Sequence, residues 1–302
     1  MTKIAITTST FGQYSNGPID ALKKRGFELT FNATGKKLDT ASLIKICRGC
    51  SGIIAGTEAY TKEVFEALPD LKVISRCGSG TDGIDFDEAQ KRKIRVLKTE
   101  NGPTRAVAEL VIGLILDLLR NITLSDKGIR KGLWEKKMGT LFEGKTLGII
   151  GMGKIGAAVS KLSMALGAKV IYFDPKVKDK KFGKPNNFTA ILKNADIITV
   201  HVPGGKETLN LFGEKELSLM KSTSILINCS RGGVVEEKAL YEFLKSGNIA
   251  AAASDVFIDE PYNGRLRELD NIVLTPHIGS YAKETRIEME NQAVKNLLKY
   301  LK

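Results

Sequence analysis

The stretch KTLGIIGMGKIGAAVSKLSMALGAKVIYFD, residues 145–174, decides the fold of this chain. Its first apolar run, 146–150, is short and β-branched, which indicates a buried strand. Apolar residues at helical spacing follow over 157–166, and a second apolar run over 169–173 ends at Asp174. The order of strand, glycine turn, helix, strand and acidic residue is typical of a dinucleotide-binding βαβ unit.

The glycines of GMGKIG each meet a separate requirement of such a site. Gly151 permits the tight turn, Gly153 lets the backbone approach a pyrophosphate, and Gly156 allows the helix to pack closely on the strand. The helix N-terminus offers N–H groups to the phosphates. Asp174 lies where a carboxylate accepts hydrogen bonds from an adenosine ribose, and an acid at this position favours NAD over NADP. An ordinary βαβ unit without a nucleotide is the alternative.

Length and composition limit the classes of protein that need considering. A chain of 302 residues predicts two domains of roughly 150 residues. The net charge of +12 suits nucleic acid, a membrane surface or a phosphorylated metabolite as partner. Because the basic residues are scattered, with no arginine-rich tract, we discount nucleic acid and membrane. A solvated, lysine-rich surface is the simpler interpretation.

Targeting and metal signals are weak in this sequence. The N-terminus has no secretory signal, and the longest apolar segment, 106–119, is interrupted by Glu109 and Asp117, which indicates a buried helix. A cytoplasmic protein is therefore expected, and four cysteines suit a reducing compartment. Cys47 and Cys50 form a C-x-x-C, but no second pair or nearby histidine completes a zinc site, so no metal is predicted.

Strands and helices alternate in both halves of the chain, which predicts parallel sheets covered on both faces. A long apolar helix opens at Pro103, with Asn101 or Gly102 as its cap, and it is expected to lie between two domains or two subunits. The domain boundary is predicted near residue 99. The predicted strands are 3–8, 27–32, 52–55, 71–76, 94–97, 146–150, 169–173, 196–200, 224–228, 250–255 and 272–275. The other predicted helices include 18–25, 40–47, 62–67, 236–245 and 282–301.

Polar residues follow several strands at the rim where a doubly wound sheet binds its ligand. A nicotinamide enzyme that oxidises an alcohol needs a group to take the hydroxyl proton. His277 is favoured over His201, because Asp259 or Glu260 can fix its tautomer. Arg231 is a candidate to hold a substrate carboxylate, although a surface arginine in a turn remains the alternative.

The turn RCGSGTDGID, residues 76–85, follows another predicted strand and contains three glycines. Its N–H groups are suited to a small anion, and a tight turn that merely needs glycine is equally compatible.

Six motifs, in order along the chain, resemble the D-isomer-specific 2-hydroxyacid dehydrogenase family. They are ISRCGSGTDGID (74–85), TRAVAELVIGLIL (104–116), GKTLGIIGMGKIG (144–156), NCSRGGVVEEKAL (228–240), ASDVFIDEP (253–261) and TPHIGS (275–280). The resemblance implies that His277 is the acid–base group, Glu260 its carboxylate partner and Arg231 the substrate-orienting cation. The substrate residues it implies are Arg76, Gly78, Ser79 and Gly80. The cofactor is expected to be NAD, with contacts from Gly151, Gly153, Lys154, Ile155, Gly156, Asp174, Val202, Pro203, Cys229, Ser230, Arg231, Asp255, His277, Gly279 and Ser280.

The resemblance also implies the topology. The expected fold is α/β, with two doubly wound parallel-sheet domains and the active site in the cleft between them. A Rossmann-type NAD domain, 99–282, is inserted into a flavodoxin-like substrate domain, 1–98 plus 283–302. Members of the family are commonly homodimers joined through the cofactor domain, to which the helix after Pro103 would contribute.

Within the family the chain is most similar to 3-phosphoglycerate dehydrogenases, in a short form without a regulatory domain. The first substrate prediction is therefore 3-phosphoglycerate and 3-phosphohydroxypyruvate, as in serine biosynthesis. Ala55-Gly56-Thr57 stands where many such enzymes carry an arginine, and Gly83 replaces the usual asparagine. The alternatives are a hydroxypyruvate or glyoxylate reductase, then lactate-type activity, and, from another class, an NAD-responsive binding protein.

Overall fold

The computed structural model describes residues 1–99 and 102–301. The chain divides into two compact units, one formed by Met1–Pro103 with Ser280–Lys302 and the other by Thr104–Gly279. The second unit is thus inserted, as one continuous segment, between the two parts of the first. Asn101, one of the predicted cap residues, lies outside the described residues.

The first unit contains a five-stranded parallel sheet with the order β2-β1-β3-β4-β5. Ile4 to Ile6 and Ile53 to Ala55 are fully buried, as expected for parallel strands covered on both faces. The order is that of flavodoxin-like sheets, in which the side on which successive strands are added changes between β1 and β3. The strands are β1 (Lys3–Ile6), β2 (Glu28–Phe31), β3 (Gly52–Ala55), β4 (Val73–Arg76) and β5 (Arg95–Lys98).

The second unit contains a seven-stranded parallel sheet with the order β12-β11-β10-β9-β6-β7-β8. This is the Rossmann order, with the switch point between β6 and β9. The predicted α/β fold class with two doubly wound sheets is confirmed. The strands are β6 (Thr146–Ile150), β7 (Lys169–Phe173), β8 (Lys184–Pro185), β9 (Ile197–Val200), β10 (Ile225–Asn228), β11 (Ala251–Ser254) and β12 (Ile272–Leu274).

Helices cover the faces of both sheets. They are α1 (Gly17–Lys23), α2 (Thr40–Cys47), α3 (Lys62–Ala67), α4 (Phe86–Lys91), α5 (Pro103–Arg120), α6 (Ile122–Arg130), α7 (Lys154–Ala165), α8 (Phe188–Asn194), α9 (Glu214–Leu217), α10 (Glu237–Lys245) and α11 (Lys283–Leu297). Short 3₁₀ helices occupy Lys180–Phe182 and Arg265–Glu268. Among the described residues, no helix is long and apolar enough to cross a membrane.

Two predicted helix ends were wrong by about a turn. The helix after the glycine turn begins at Lys154 rather than at 157, because Gly153 is its N-cap and KIG forms its first turn. The last helix ends at Leu297 rather than at 301. Leu301 remains buried and packs against Gly52. The residues after the helix therefore still contribute a side chain to the core.

The long helix α5 packs one face on the core of the second unit. Ala108, Val111 and Ile115 are fully buried in that core. Arg105 and Glu109 are exposed on the opposite face, where they form an ion pair. The apolar composition of the helix thus corresponds to burial on most of its faces, and the face that carries Arg105 and Glu109 is the exposed remainder.

Candidate active site

The glycine turn after β6 is shaped by close backbone contacts. Gly151 has φ +94°, and a Cβ there would overlap the carbonyl oxygen of His201. A Cβ at Gly156 would overlap the carbonyl oxygen of Gly151. Gly153 differs, because a Cβ at that position would meet no atom within 4 Å. Gly151 and Gly156 are needed for close packing of the backbone, whereas Gly153 borders open space that a bound pyrophosphate can enter.

The first turn of α7 starts directly behind this open space. The N–H groups of its first turn face the end of the helix, and the regular hydrogen bonds begin with the Ala157 N–H, which donates to the Gly153 carbonyl oxygen at 2.9 Å. The helix dipole adds partial positive charge at the same end. The turn and the helix end therefore have the shape and the charge that a dinucleotide pyrophosphate requires.

Asp174, at the end of β7, is held by three backbone N–H groups. Oδ2 accepts from Met152 at 2.8 Å, and Oδ1 accepts from Lys176 at 2.8 Å and Val177 at 2.9 Å. Partial burial raises the pKa of Asp174, but these donors outweigh it and lower the pKa below its ordinary value. The carboxylate is thus charged and oriented beside the glycine turn.

His201 follows β9 and is poorly suited to proton transfer. Nε2 lies 3.0 Å from Oγ1 of Thr199, and Nδ1 is buried with no hydrogen-bond partner among the described residues. Burial lowers the pKa of His201 to about 3. The neighbouring Val202 lies against the Gly151 turn, and the carbonyl oxygen of Pro203 accepts from Thr208.

The turn after β10 is organised by Asn228, a residue that the sequence analysis did not assign. Its Oδ1 accepts from the hydroxyl and the N–H of Ser230, and its Nδ2 donates to the carbonyl oxygen of Arg231 at 3.2 Å. Arg231 donates from Nη1 to the Ser230 carbonyl oxygen at 2.7 Å. Asn228 opens the motif NCSRGG, so its position at a strand end was the available signal.

Cys229 is buried in the same turn, and burial raises the pKa of its thiol. A Cβ at Gly232 would overlap the Phe257 carbonyl oxygen. The turn that carries Arg231 therefore packs directly on the loop after β11, which carries Glu260.

His277 and Glu260 form the central contact of the site. Nδ1 of His277 lies 2.9 Å from Oε2 and 3.1 Å from Oε1 of Glu260. Oε1 also accepts from the Phe257 N–H at 3.1 Å, which orients the carboxylate. The structure therefore brings Glu260, and not Asp259, to the ring. Because a carboxylate only accepts, Nδ1 carries a proton and the neutral ring presents Nε2 as a base.

The turn that carries His277 is anchored on Asp255. This carboxylate is 1% exposed and accepts from the Thr275 hydroxyl at 2.6 Å, the Ile278 N–H at 2.7 Å and the Gly279 N–H at 2.8 Å. Burial raises the pKa of Asp255, although these donors oppose the effect. His277 itself has φ +55°, an uncommon conformation for a residue other than glycine. Asp255 thus fixes a backbone shape that the turn would otherwise disfavour.

The predicted anion turn of the first unit follows β4. The N–H of Gly78 donates to the Arg76 carbonyl oxygen at 3.0 Å, and the Arg76 guanidinium donates to the carbonyl oxygen of Cys77. No described group accepts from the N–H groups of Ser79 and Gly80. Of the three predicted anion donors, the structure therefore leaves these two available. Ser280, the last predicted cofactor residue, begins the returning segment of this same unit.

The C-x-x-C pair of the first unit lies in the core of that unit. Cys47 and Cys50 are buried, and burial raises the pKa of both thiols, that of Cys50 to about 11. Within 1–99 and 102–301, no group of histidine, cysteine or acidic residues is arranged to hold a metal ion.

Comparison with known proteins shows which family the chain resembles. Residues 112–279 match the family described as D-isomer specific 2-hydroxyacid dehydrogenase, NAD binding domain. Glyoxylate reductase of Thermococcus litoralis is 42% identical over 260 residues, covering 82% of this chain and 78% of that protein. D-3-phosphoglycerate dehydrogenase of Archaeoglobus fulgidus is 38% identical over 284 residues, covering 91% of this chain and 53% of that protein.

A solved structure supports the same relationship. The TT0316 protein from Thermus thermophilus has a TM-score of 0.91 and 34% identity, with 98% of this chain and 96% of that chain covered. The chain spans only about half the length of the phosphoglycerate dehydrogenase named above.

The Rossmann-type unit and its glycine turn define an NAD-dependent oxidoreductase. The chain belongs to the D-isomer-specific 2-hydroxyacid dehydrogenase family, and the resemblance found in its sequence is confirmed. Its substrates are accordingly small 2-hydroxyacids and 2-oxoacids.

Proposed function

We propose that the chain reduces a short, unphosphorylated 2-oxoacid to the D-2-hydroxyacid, with His277, Glu260 and Arg231 as its catalytic residues. The observation that carries this proposal is the contact between His277 Nδ1 and both oxygens of Glu260. A histidine fixed in this way has one nitrogen committed and the other available for proton transfer.

The proposed steps follow from the side chains. NADH, held by the glycine turn and Asp174, would supply the hydride that reduces the carbonyl carbon. Nε2 of protonated His277 gives its proton to the carbonyl oxygen, which takes the electron pair of the C=O π bond and becomes the hydroxyl. Glu260 stabilises the protonated ring and maintains its orientation. Arg231 holds the substrate carboxylate with its planar fork, so that the carbonyl is oriented for the transfer.

The two units would have different binding roles. The Rossmann-type unit would hold NAD through the turn from Gly151 to Gly156, the first turn of α7 and the carboxylate of Asp174. Residues 1–98 plus 283–302 would form the substrate domain, with the N–H groups of Ser79 and Gly80 as carboxylate donors. The open space at Gly153 and the oriented Asp174 support the cofactor assignment.

The preferred substrates are hydroxypyruvate and glyoxylate. This choice is supported by the relative named glyoxylate reductase, of which the chain covers 78%. The sequence-based prediction of 3-phosphoglycerate is the second candidate, and Arg76 together with the relative named D-3-phosphoglycerate dehydrogenase favours it. The two candidates differ in the charge of the substrate tail, because a phosphate monoester carries about −1.5 to −2 charges at pH 7.

The decisive experiment is a substrate panel with the purified protein. NADH is mixed in turn with hydroxypyruvate, glyoxylate, phosphohydroxypyruvate and pyruvate, and kcat/KM is measured from nicotinamide absorbance. Arg231→Gln should lower kcat/KM by about 100-fold or more for every 2-oxoacid, because a charged hydrogen-bond donor to the substrate is lost. If the wild-type protein reduces none of these 2-oxoacids, the proposal is wrong.

We also propose that the protein is a homodimer joined through the Rossmann-type unit. An outer patch of exposed apolar side chains follows α5 in sequence, and patches of this kind commonly mark protein contacts. Trp134 is 84% exposed and Met138 is 95% exposed, and the other members of the outer patch are Ile122, Ile129, Leu133 and Leu141.

Light scattering tests the dimer. The wild-type protein should have twice the mass of one chain, and the double variant Trp134→Lys with Met138→Lys should have the mass of one. Phe86→Lys, an exposed aromatic of the other unit, is the matched control and should leave the mass unchanged.

A further inference from the structure

The outer edge of β5 borders a cavity of about 460 Å³ within the first unit. A volume of this size is typical of pockets that bind small molecules. We call it the edge cavity, and its lining includes Phe86, Val96, Lys98, Gln292, Asn296 and Lys299. Phe86 begins α4, whereas Gln292 and Asn296 belong to α11. The edge cavity is thus formed by one strand and the two helices beside it.

The backbone of β5 presents N–H groups to the edge cavity. β5 is the last strand in the order of its sheet, where it pairs with β4. The Arg95 N–H donates to the Lys72 carbonyl oxygen at 2.8 Å, on the side of β4. Because peptide groups alternate in direction along a strand, the N–H groups of Val96 and Lys98 point away from β4. The Lys98 carbonyl oxygen has this outward direction, since it accepts from Nδ2 of Asn296 at 3.1 Å.

This edge favours a small ligand over an added peptide strand. Strand addition needs a row of alternating donors and acceptors on the edge. β5 has only four residues, and Asn296 already occupies the outward carbonyl oxygen of Lys98. Two outward N–H groups remain against the single carbonyl oxygen of Val96. The excess of donors suits a ligand whose oxygens accept hydrogen bonds.

Two lysines give the edge cavity a positive charge. Lys98 and Lys299 line it and are exposed, and neither forms an ion pair within residues 1–99 and 102–301. In that part of the chain no acidic side chain lines the cavity. The half-buried carboxamide of Gln292 is a further polar group at this position. Ammonium and N–H groups that converge without a carboxylate attract an anion.

One wall of the edge cavity is apolar. The ring of Phe86 is 50% exposed, and the side chains of Val96 and Leu97 complete this wall. An inorganic ion would leave the ring in contact with water, whereas an organic ligand can cover it. The wall therefore favours a ligand with an apolar portion beside its charged group.

The edge cavity is separate from the proposed carboxylate donors of the substrate domain. Ser79 and Gly80 do not belong to its lining, although the next residue, Thr81, does. A molecule in the edge cavity would therefore not be held by the N–H groups assigned to the substrate.

We infer that the edge cavity is a binding site for a small organic anion, a carboxylate or a phosphate ester that also has an apolar portion. Lys98 and Lys299 pair with its charged group, and the N–H groups of Val96 and Lys98 donate to its oxygens. Phe86 covers the apolar portion. This site uses none of the residues assigned to hydride transfer, so it is additional to the proposed function.

Calorimetry with the full chain tests the site. The probes are phenyl phosphate, 3-phenylpropanoate and inorganic phosphate, titrated at low ionic strength because salt screens exposed charges. At least one organic probe should bind with a Kd below about 1 mM. The double variant Lys98→Gln with Lys299→Gln should weaken that binding at least roughly tenfold, because two charged donors are lost. Lys24→Gln with Lys295→Gln removes the same charge from exposed positions outside the cavity and should leave the Kd unchanged.

Phe86→Ser tests the apolar wall. It should weaken the organic probe at least about threefold, because the ring no longer covers the apolar portion. Circular dichroism checks that each variant remains folded. The site is wrong if neither organic probe binds, or if the Lys98 and Lys299 double variant binds as tightly as the wild-type protein. Inorganic phosphate that binds as tightly as phenyl phosphate would also contradict the proposal, since the apolar portion would contribute nothing. These measurements need no turnover, so their outcome is independent of the substrate panel.

Discussion

Both carboxylate oxygens of Glu260 lie within 3.1 Å of Nδ1 of His277. The carboxylate is itself held by the Phe257 N–H, so the imidazole is oriented by a group that has a fixed position. This relationship connects two strand-end loops of one sheet and motivates the first two predictions.

Removal of the imidazole should abolish proton transfer. We expect His277→Ala to lower kcat by about 10²- to 10⁴-fold, the usual contribution of a positioned acid–base group. His201→Gln is the matched control and should retain most of the activity, because His201 is neutral and its Nδ1 is buried without a hydrogen-bond partner among the described residues. Steady-state rates of glyoxylate reduction by NADH measure both, and a fully active His277→Ala enzyme would exclude the proposed role.

Glu260 should act through the orientation and charge of His277. Glu260→Gln is expected to lower kcat at least roughly tenfold with a smaller effect on KM, since the protonated ring loses its partner. Asp259→Asn, one residue away and exposed, should change neither constant. Equal effects of the two substitutions would show that the observed contact is not used.

Substitutions at two glycines of the turn should have different effects, one on NADH binding and the other on the free energy of unfolding. Gly153→Ala places its methyl group in open space, so it should fold normally and bind NADH about tenfold or more weakly. Gly156→Ala forces a methyl group against the Gly151 carbonyl oxygen and should lower the free energy of unfolding by roughly 1–3 kcal/mol. Thermal unfolding and fluorescence titration with NADH distinguish these effects, and the reverse pattern would contradict the assignment of Gly153.

Asp174 should determine the choice of cofactor. Asp174→Ala is expected to raise KM for NADH about tenfold and to change KM for NADPH much less, because the carboxylate favours a ribose hydroxyl and repels a phosphate. Circular dichroism should accompany the kinetics, since the substitution also frees three backbone N–H groups. Equal losses with both cofactors would disprove the ribose contact.

His201 should make the protein less stable in acid. Its pKa is lowered to about 3 in the folded chain, against about 6.5 when unfolded, so the folded state binds fewer protons between these values. Stability therefore falls as the pH falls below about 6.5, by up to about 1.4 kcal/mol per pH unit from this group. His201→Gln should lose less stability between pH 6.5 and 5, as measured by urea unfolding. Identical pH dependence in both proteins would contradict this effect.

The sequence by itself determined the two sheets, the family and the dinucleotide turn. These features follow from local patterns, because period, glycine position and strand ends are written in consecutive residues. The positions of Arg231, Glu260 and His277 at strand ends could likewise be predicted, since parallel strands bring their carboxyl ends to one edge.

Only the tertiary structure decided which groups meet at those edges. The residues alone left Asp259 and Glu260 open as the partner of His277, and the structure shows the contact with Glu260, the residue that the family resemblance implied. It also showed the Asn228 and Asp255 side chains to be the anchors of two turns. It also showed Glu58 to be a buried carboxylate held by Thr7, which lies 51 residues away in sequence. Such contacts depend on the register of neighbouring strands and on burial, and neither can be read from the residues of a single loop.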